Sequence, residues 1–445
     1  MRIQWRSTVS TSRQVQSRVA LLMLAFSVMS YFNRTIMSIA GPAIMKEFSL
    51  SETAMGSVYS AFLFSYAVLM IPGGHLADRF GPRLVLTCMG LGSALFTGLT
   101  ALGGKPGLGT TLGIVPSFLI MRLGMGVFTA PLYPSCARVN ANWFATGERA
   151  RVWGLVAAGA GIGGAVSPLL FSWMIGRYGW RGSFWVAAGV TGLLTLVWLW
   201  YARDRPGQHP AIIREAMTSQ VLHNSSPEPA ERKPTPWRRL LTNRSLALLT
   251  LGYATVGYFE YIFFFWIYYY FGEIRKMGPG HSAIYTTALF LTWMVMTPIG
   301  GWTSDRLVTR HGKRVGRRMV PTICLTLSAL LLCIGVNLTG TLSVAVLLSL
   351  ALGFASASDG SFWATAIDLG RKEVGAASGI MNTGCNVGGL IAPTLTPLIA
   401  SVVGWSWGLY FGSLVVLAGV LCWFFIDSDQ GLERAFSIDE MKIDH

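Results

Sequence analysis

IPGGHLADRFGPR, residues 71–83, joins the end of one long apolar run to the start of the next. A second stretch of the same character, TPIGGWTSDRLVTRHGKR at residues 297–314, does so again in the other half of the chain. Each carries a Pro, a Gly pair, an Asp-Arg pair and a basic end. A short charged turn between apolar runs is the joint of two antiparallel helices in a bilayer, because about 20 apolar residues cross its hydrocarbon core. Two such joints far apart imply a chain built twice.

Composition agrees. Of 445 residues, 52% are hydrophobic and 12% charged, and the mean hydropathy is +0.50. A soluble domain carries about 25% charge. The apolar runs predict twelve spans, near 18–41, 53–74, 82–103, 113–137, 151–175, 181–202, 245–271, 282–302, 319–338, 342–364, 376–401 and 405–426. They are too long and continuous for the alternating strands of a membrane barrel. The fold class expected is all-α, a membrane protein of twelve transmembrane helices in two pseudo-symmetric six-helix bundles.

The net charge of +15 does not signal nucleic acid. With the N-terminus inside, about 27 of the 35 Lys and Arg fall in inside loops and tails and about six in outside loops. That asymmetry predicts both termini in the cytosol and membrane lipid as the surrounding partner. Arg2, Arg6, Arg13 and Arg18 precede a first span that lacks a cleavage site, which reads as a retained helix. The six cysteines lie in or at the ends of spans without a C-x-x-C pair. They read as small packing residues, with no disulfide, metal or cofactor expected.

The halves match in detail. GAGIGGAVSPLL at 159–170 answers GCNVGGLIAPTL at 384–395. Pro168 pairs with Pro393 and Trp180 with Trp405, each 225 positions apart. The expected organisation is a cytosolic tail (1–17), a first bundle (18–202), a linker (203–244), a second bundle (245–426) and a cytosolic tail (427–445). The linker is polar and rich in Pro and basic residues, and reads as partly disordered with a short surface helix near Trp237. Parallel repeats of this kind build one central site that opens to each side in turn.

On these residues the chain resembles the major facilitator superfamily. Gly74, Asp78, Arg79, Gly81 and Arg83 match the family's loop motif, and Gly301, Asp305 and Arg306 match its second copy. In the family this loop braces the cytosolic side by charge pairing between helix ends. Asp78 is suited to pair with a cation on a neighbouring helix end, and Gly74 and Gly81 to allow a tight turn.

Ionisable residues within spans are expensive and mark function. Four stand out: Arg34 in span 1, Arg122 in span 4, Glu260 in span 7 and Asp359 in span 10. The positive pair lies in the first half and the negative pair in the second. Span directions place both arginines in the outer half of the bilayer at similar depth, where two guanidiniums suit a carboxylate. Structural pairing within the bundle is the alternative for each.

SYFNRTIMSIAGPAIMKEF and MRLGMGVFTAPLYPSCARVNANWF are similar to spans 1 and 4 of the anion:cation symporter branch, which includes hexuronate, aldonate and sialic acid carriers. The resemblance implies that Arg34 and Arg122 lie at the substrate and coupling site and that Tyr31 lines the pocket. Tyr66, Asn382 and Asn386 lie on pocket-lining spans and are candidate donors to hydroxyls. Two positions depart from the branch. Its aspartate before the span 1 arginine is Asn33 here, and its span 4 glutamate is Thr129. Neither side chain titrates. Asn33 keeps the hydrogen-bonding shape and leaves Arg34 more available to a substrate, so it joins the substrate-binding candidates. Proton coupling then falls to Glu260 first and Asp359 second, unless both are static counter-ions. Tyr268, Tyr269 and Tyr270 read as an interfacial aromatic belt. Tyr261, Phe264 and Trp266 stay undecided between that belt and stacking on a sugar ring.

The expected function is secondary active transport of a small organic anion, a sugar acid such as a hexuronate or aldonate, with H⁺ or Na⁺ as coupling ion. A monomer in the cytoplasmic membrane is expected. The alternatives are an uncoupled facilitator or exchanger, then a drug:proton antiporter, then a membrane sensor. GAGIGGAVSP lacks the Gly-Pro pattern of drug antiporters, and the cytosolic segments are too short for a signalling domain. No hydrolase or nucleotide-binding motif supports an enzyme.

Overall fold

The computed structural model describes residues 2–104, 113–144, 148–219, 237–370 and 374–427, and all regular structure among them is helical. The first half holds α1 (Arg2–Phe48), α2 (Glu52–Phe80), α3 (Pro82–Thr100), α4 (Ile114–Thr129), α5 (Leu132–Trp143) and α6 (Arg149–Tyr201). Then come α7 (Pro210–Ser219), α8 (Trp237–Thr242) and α9 (Arg244–Tyr269). The second half continues with α10 (Gly278–Asn337), α11 (Thr341–Ala357), α12 (Asp359–Gly370), α13 (Val374–Val403) and α14 (Trp405–Phe425).

Ten segments among the described residues are long and apolar enough to cross a membrane, where the sequence predicted twelve. The difference lies in two of them, Val152–Tyr201 with 50 residues and Gly278–Asn337 with 60. Each is interrupted by one non-helical glycine, Gly179 (φ 70°, ψ 168°) in α6 and Gly312 (φ 79°, ψ 167°) in α10. Residues with a side chain do not adopt that conformation readily. Gly404, 225 positions after Gly179, has the same geometry (φ 95°, ψ 160°).

The linker is more ordered than expected. Residues 206–208 form a 3₁₀ turn and α7 follows. His209, between them, packs its ring on Tyr201 and Trp143 and accepts the Ala211 N–H at its Nδ1. Burial, then Arg203 and Arg18, hold its imidazole neutral to lower pH than usual. The short helix expected near Trp237 is α8. The remainder of the expected linker disorder, at 220–236, lies outside the described residues, as does 428–445 of the C-terminal tail.

Contacts divide the chain into two compact units. The first comprises Met1–Arg34, Val68–Gly164 and Tyr178–Lys233. Its core joins Val19, Met23 and Phe26 of α1 to Leu86, Trp143 and Trp198. The second comprises Thr35–Ala67, Ala165–Arg177 and Pro234–His445. At its centre is α9, whose residues 255–268 are all buried. A helix apolar all round belongs inside a bundle.

The repeat is visible inside each unit. In the first, a Cβ on Gly163 would come within 2.5 Å of the Val28 carbonyl oxygen of α1. In the second, a Cβ on Gly388, 225 positions later, would come within 1.9 Å of the Ala254 carbonyl oxygen of α9. The quoted motifs repeat likewise. Gly73 backs onto Pro131, where α4 gives way to α5; Gly300 backs onto Ala357, where α11 gives way to α12. The glycine pair thus lets one helix press on the break in another.

Gly179→Ala and Gly312→Ala should each destabilise the protein by roughly 1–3 kcal/mol, the cost of a side chain in that backbone region. Gly176→Ala, where nothing stands within 4 Å of the added carbon, is the control. Thermal unfolding in detergent checks this, and equal melting of all three would contradict it.

Candidate functional site

The charged motif is a helix junction rather than a loop. α2 runs through Asp78 and Arg79 to Phe80, and α3 begins at Pro82, so Gly81 alone (φ 86°) makes the turn. Gly74 lies within α2 and makes no turn, which corrects that expectation. A Cβ on Gly81 would stand 2.7 Å from Asp204 Oδ1, the atom that accepts the Arg83 backbone N–H at 2.8 Å. Arg83 Nη2 donates to the Leu199 carbonyl at 2.6 Å. Asp78 pairs with Arg138 of α5 at 3.4 Å, the expected partner on a neighbouring helix end. Arg79 lies over the Phe80 ring.

The second copy distributes its charges differently. Asp305 accepts from Arg317 at 2.6 Å, and Arg317 also reaches Asp368 of α12 at 3.4 Å. Lys313 completes the cluster on Asp368 at 3.1 Å. Arg306 lies over the Trp302 ring, and Gly301 faces Gly360. The half-exposed Asp78–Arg138 pair contributes little by itself, about 0–1 kcal/mol, whereas the Arg317 and Asp368 side chains are largely buried, 12% and 16% exposed.

Within the first unit, Arg34 and Arg122 are 3% and 0% exposed. The Arg34 guanidinium lies 4.9 Å from the centroid of Tyr31, and Arg122 Nη1 reaches Met125 Sδ at 3.0 Å. Tyr31 and Arg34, one turn apart on α1, are therefore in contact. Asn33 is placed elsewhere. Its Nδ2 donates to Thr191 Oγ1 at 2.9 Å, and Thr191 donates in turn to the Ala187 carbonyl. Asn33, Thr191, Ser93, Thr129 and Ser30 line a cavity of about 10 Å³. That volume holds one water at most. The geometry engages the Asn33 amide with Thr191. It also brings Asn33 and Thr129 to one cavity, and no residue lining it titrates.

Within the second unit, Tyr66 is buried and stacks on Phe62. Asn386 donates to the Asn382 carbonyl one helical turn back at 3.1 Å. Glu260 is 6% exposed and accepts from Trp293 Nε1 at 3.3 Å. Asp359 opens α12 and is 9% exposed, and its Oδ1 is buried without a partner. Tyr261 and Phe264 pack with their rings tilted by 38°, and Trp266 Nε1 donates to the Pro393 carbonyl at 2.9 Å.

Glu52 was not among the sequence candidates. At the first turn of α2 its carboxylate accepts from the Tyr269 hydroxyl and from Trp405 Nε1, the latter at 3.2 and 3.3 Å. Nearby, Ser60 donates to the Leu390 carbonyl at 2.7 Å and meets Thr394 at 2.9 Å. Tyr268 meets Ser172 at 3.3 Å, and Tyr268 and Tyr270 are buried. The tyrosine run is thus a clasp on first-half segments rather than an interfacial belt. Glu52's partners lie 217 and 353 residues away, so no local pattern announces it.

The fold and these intramembrane charges define a multi-pass membrane transporter. The Major Facilitator Superfamily description matches residues 23–312 and 307–439, and the chain belongs to that family. It is 28% identical over 392 residues to a probable sulfoacetate transporter of Cupriavidus necator, covering 88% of each chain. It is 27% identical to a hexuronate transporter of Bacillus subtilis, covering 90% of this chain and 92% of that one. A probable galactarate/D-glucarate transporter of Escherichia coli K12 is also 27% identical, with 93% and 96% covered. These relatives fall in the anion:cation symporter branch that spans 1 and 4 resemble. Among solved structures, a bacterial homolog of the human lysosomal transporter Spinster superposes with TM-score 0.78 at 15% identity, covering 92% of this chain and 96% of that one. A D-xylose–proton symporter does so with TM-score 0.70 at 15% identity, with 93% and 98% covered.

Glu52→Ala leaves the Tyr269 hydroxyl and the Trp405 indole without their acceptor. Backbone hydrogen exchange across 52–60 and 266–270 should rise at least about tenfold, since two charge-assisted bonds are lost. Exchange-rate mass spectrometry checks this, and unchanged protection would remove the clasp's role.

Proposed function

We propose that this chain moves a small organic anion across the cytoplasmic membrane by alternating access, with proton symport. The substrate class favoured is a sugar acid such as a hexuronate or aldonate. The observation that carries the reading is the burial of Arg34 and Arg122 within apolar helices of one unit. Two guanidiniums are retained there at high desolvation cost, and carboxylate binding recovers it through bidentate, charge-assisted bonds. The named relatives support this, because hexuronate, galactarate, glucarate and sulfoacetate are all small carboxylate-bearing anions.

In this reading the chain crosses the bilayer twelve times. At 1.5 Å per residue the two longest segments would extend about 75 and 90 Å, against a hydrocarbon core of about 30 Å. Each crosses twice, turning at Gly179 and Gly312. The charge asymmetry then puts both termini in the cytosol and the Glu52 clasp on the outer face. The clasp acts as the outer gate, held shut in this conformation.

One observation favours the second reading, an uncoupled facilitator or exchanger of the same anions. The Asn33–Thr129 cavity is neutral throughout, so it carries no proton.

Binding to the purified protein tests the arginine assignment. A hexuronate, an aldonate and an aldarate should bind, and the parent neutral hexose should not. Arg34→Lys and Arg122→Lys keep the charge but lose the fork, and each should weaken binding tenfold or more. Equal affinity for the neutral hexose, or wild-type affinity in both variants, would contradict it.

A further inference from the structure

We propose that Arg314 and Arg318 of α10 hold the phosphate of an anionic phospholipid whose acyl chain lies along the exposed apolar stripe of the same helix. The inference is independent of the transported substrate and concerns the second unit alone. Two residues past the non-helical Gly312, a groove of about 300 Å³ is lined by Arg314, Val315, Arg318, Met319, Thr322 and Ile323. Sites for small molecules begin at about that volume. The lining residues form two neighbouring rows on one helix face, each with a spacing of four. One row, Arg314, Arg318 and Thr322, is polar; the other, Val315, Met319 and Ile323, is apolar. The apolar row runs on through Leu327, Leu330 and Ile334, which are 37%, 52% and 53% exposed. From Met319 to Leu330 the helix rises about 16 Å, which matches one leaflet's share of a hydrocarbon core of about 30 Å.

Charge and hydrogen bonding select the occupant. Beside Gly312, α10 carries Arg306, Arg310, Lys313, Arg314, Arg317 and Arg318. The acids facing this cluster among the described residues are Asp305 and Asp368, and both are engaged. Arg317 bridges them at 2.6 and 3.4 Å, and Lys313 reaches Asp368 at 3.1 Å. Arg314 and Arg318 form no ion pair among the described residues. The Arg318 guanidinium lies 4.1 Å from the centroid of the Phe424 ring of α14. That contact uses its face, holds it in place and leaves its edge N–H groups for a ligand. Thr322 donates its hydroxyl proton to the Arg318 carbonyl at 2.8 Å, so the donors that remain in the groove are cationic. A phosphodiester accepts paired, charge-assisted bonds from such groups. A soluble phosphate would leave the apolar row bare, and a zwitterionic headgroup would bring a second cation to arginines that lack a counter-charge. A basic pocket at the end of a membrane helix, continued by an apolar track, is the form of site that an anionic headgroup fills. The lipid's negative charge then stands beside Arg317 and the second copy of the charged motif.

The experiment uses the full chain, purified in a mild detergent and mixed with phosphatidylglycerol or phosphatidylcholine of the same acyl chains. Native mass spectrometry counts the lipids retained. Phosphatidylglycerol should be retained about fivefold better or more, and glycerol phosphate in about tenfold excess should not displace it. Arg314→Ala, at an exposed position, should lower retention about threefold, and Arg314→Ala combined with Arg318→Ala about tenfold. Arg310→Ala removes the same charge outside the groove and should leave retention near the wild-type level. Equal retention of the two lipids overturns the proposal. An equal loss in Arg310→Ala means attraction by net charge alone and overturns the site. Displacement by glycerol phosphate overturns the lipid in favour of a free phosphate. A final measurement needs no variant to fold. A phosphatidylglycerol with a diazirine on its acyl chain should crosslink, on photolysis, within residues 315–334 of the wild type. Peptide mass spectrometry locates the adduct, and adducts found only elsewhere overturn the proposal.

Discussion

An ionised side chain inside an apolar bundle must find a counter-charge, a proton or a ligand, and this requirement orders the whole molecule. Near the helix ends the charges are paired, as Asp78–Arg138 and Arg317 between Asp305 and Asp368. The interior holds four charges by residue type, and the two signs fall in different compact units. Arg34 and Arg122 cannot be neutralised by losing a proton. Glu260 and Asp359 can be neutralised by gaining one.

The repeat was legible in the sequence because it rests on residues with no substitute. Gly163 and Gly388 sit where a methyl group would strike a neighbouring carbonyl, and the paired Pro and Trp keep the same offset. The intramembrane charges were legible for the same reason: their cost makes them conspicuous. The number of crossings was harder to recover from the helices. Two expected spans run together as one helical segment at Gly179 and again at Gly312, where a single residue leaves the helical conformation.

What the sequence left hidden depends on distant partners. The contact that Asn33 makes is with Thr191, 158 residues away. The Glu52 clasp recruits Tyr269 and Trp405 from the other half of the chain. Periodicity reports which face of a helix is apolar, and both a lipid-facing aromatic belt and a buried aromatic clasp satisfy it equally. Only the packing separates Tyr268 and Tyr270, which are buried, from residues that face lipid.

The central claim is that the buried arginines bind a small carboxylate and the chain carries it across the membrane against its gradient. The most direct measurement follows labelled sugar acids into liposomes containing the purified protein, with and without an inward proton gradient. A hexuronate, aldonate or aldarate should accumulate above its external concentration when the gradient is imposed, and only equilibrate without it. Failure of every sugar acid to enter would contradict the substrate class. Entry that stops at equilibrium under both conditions would contradict symport and leave an uncoupled carrier.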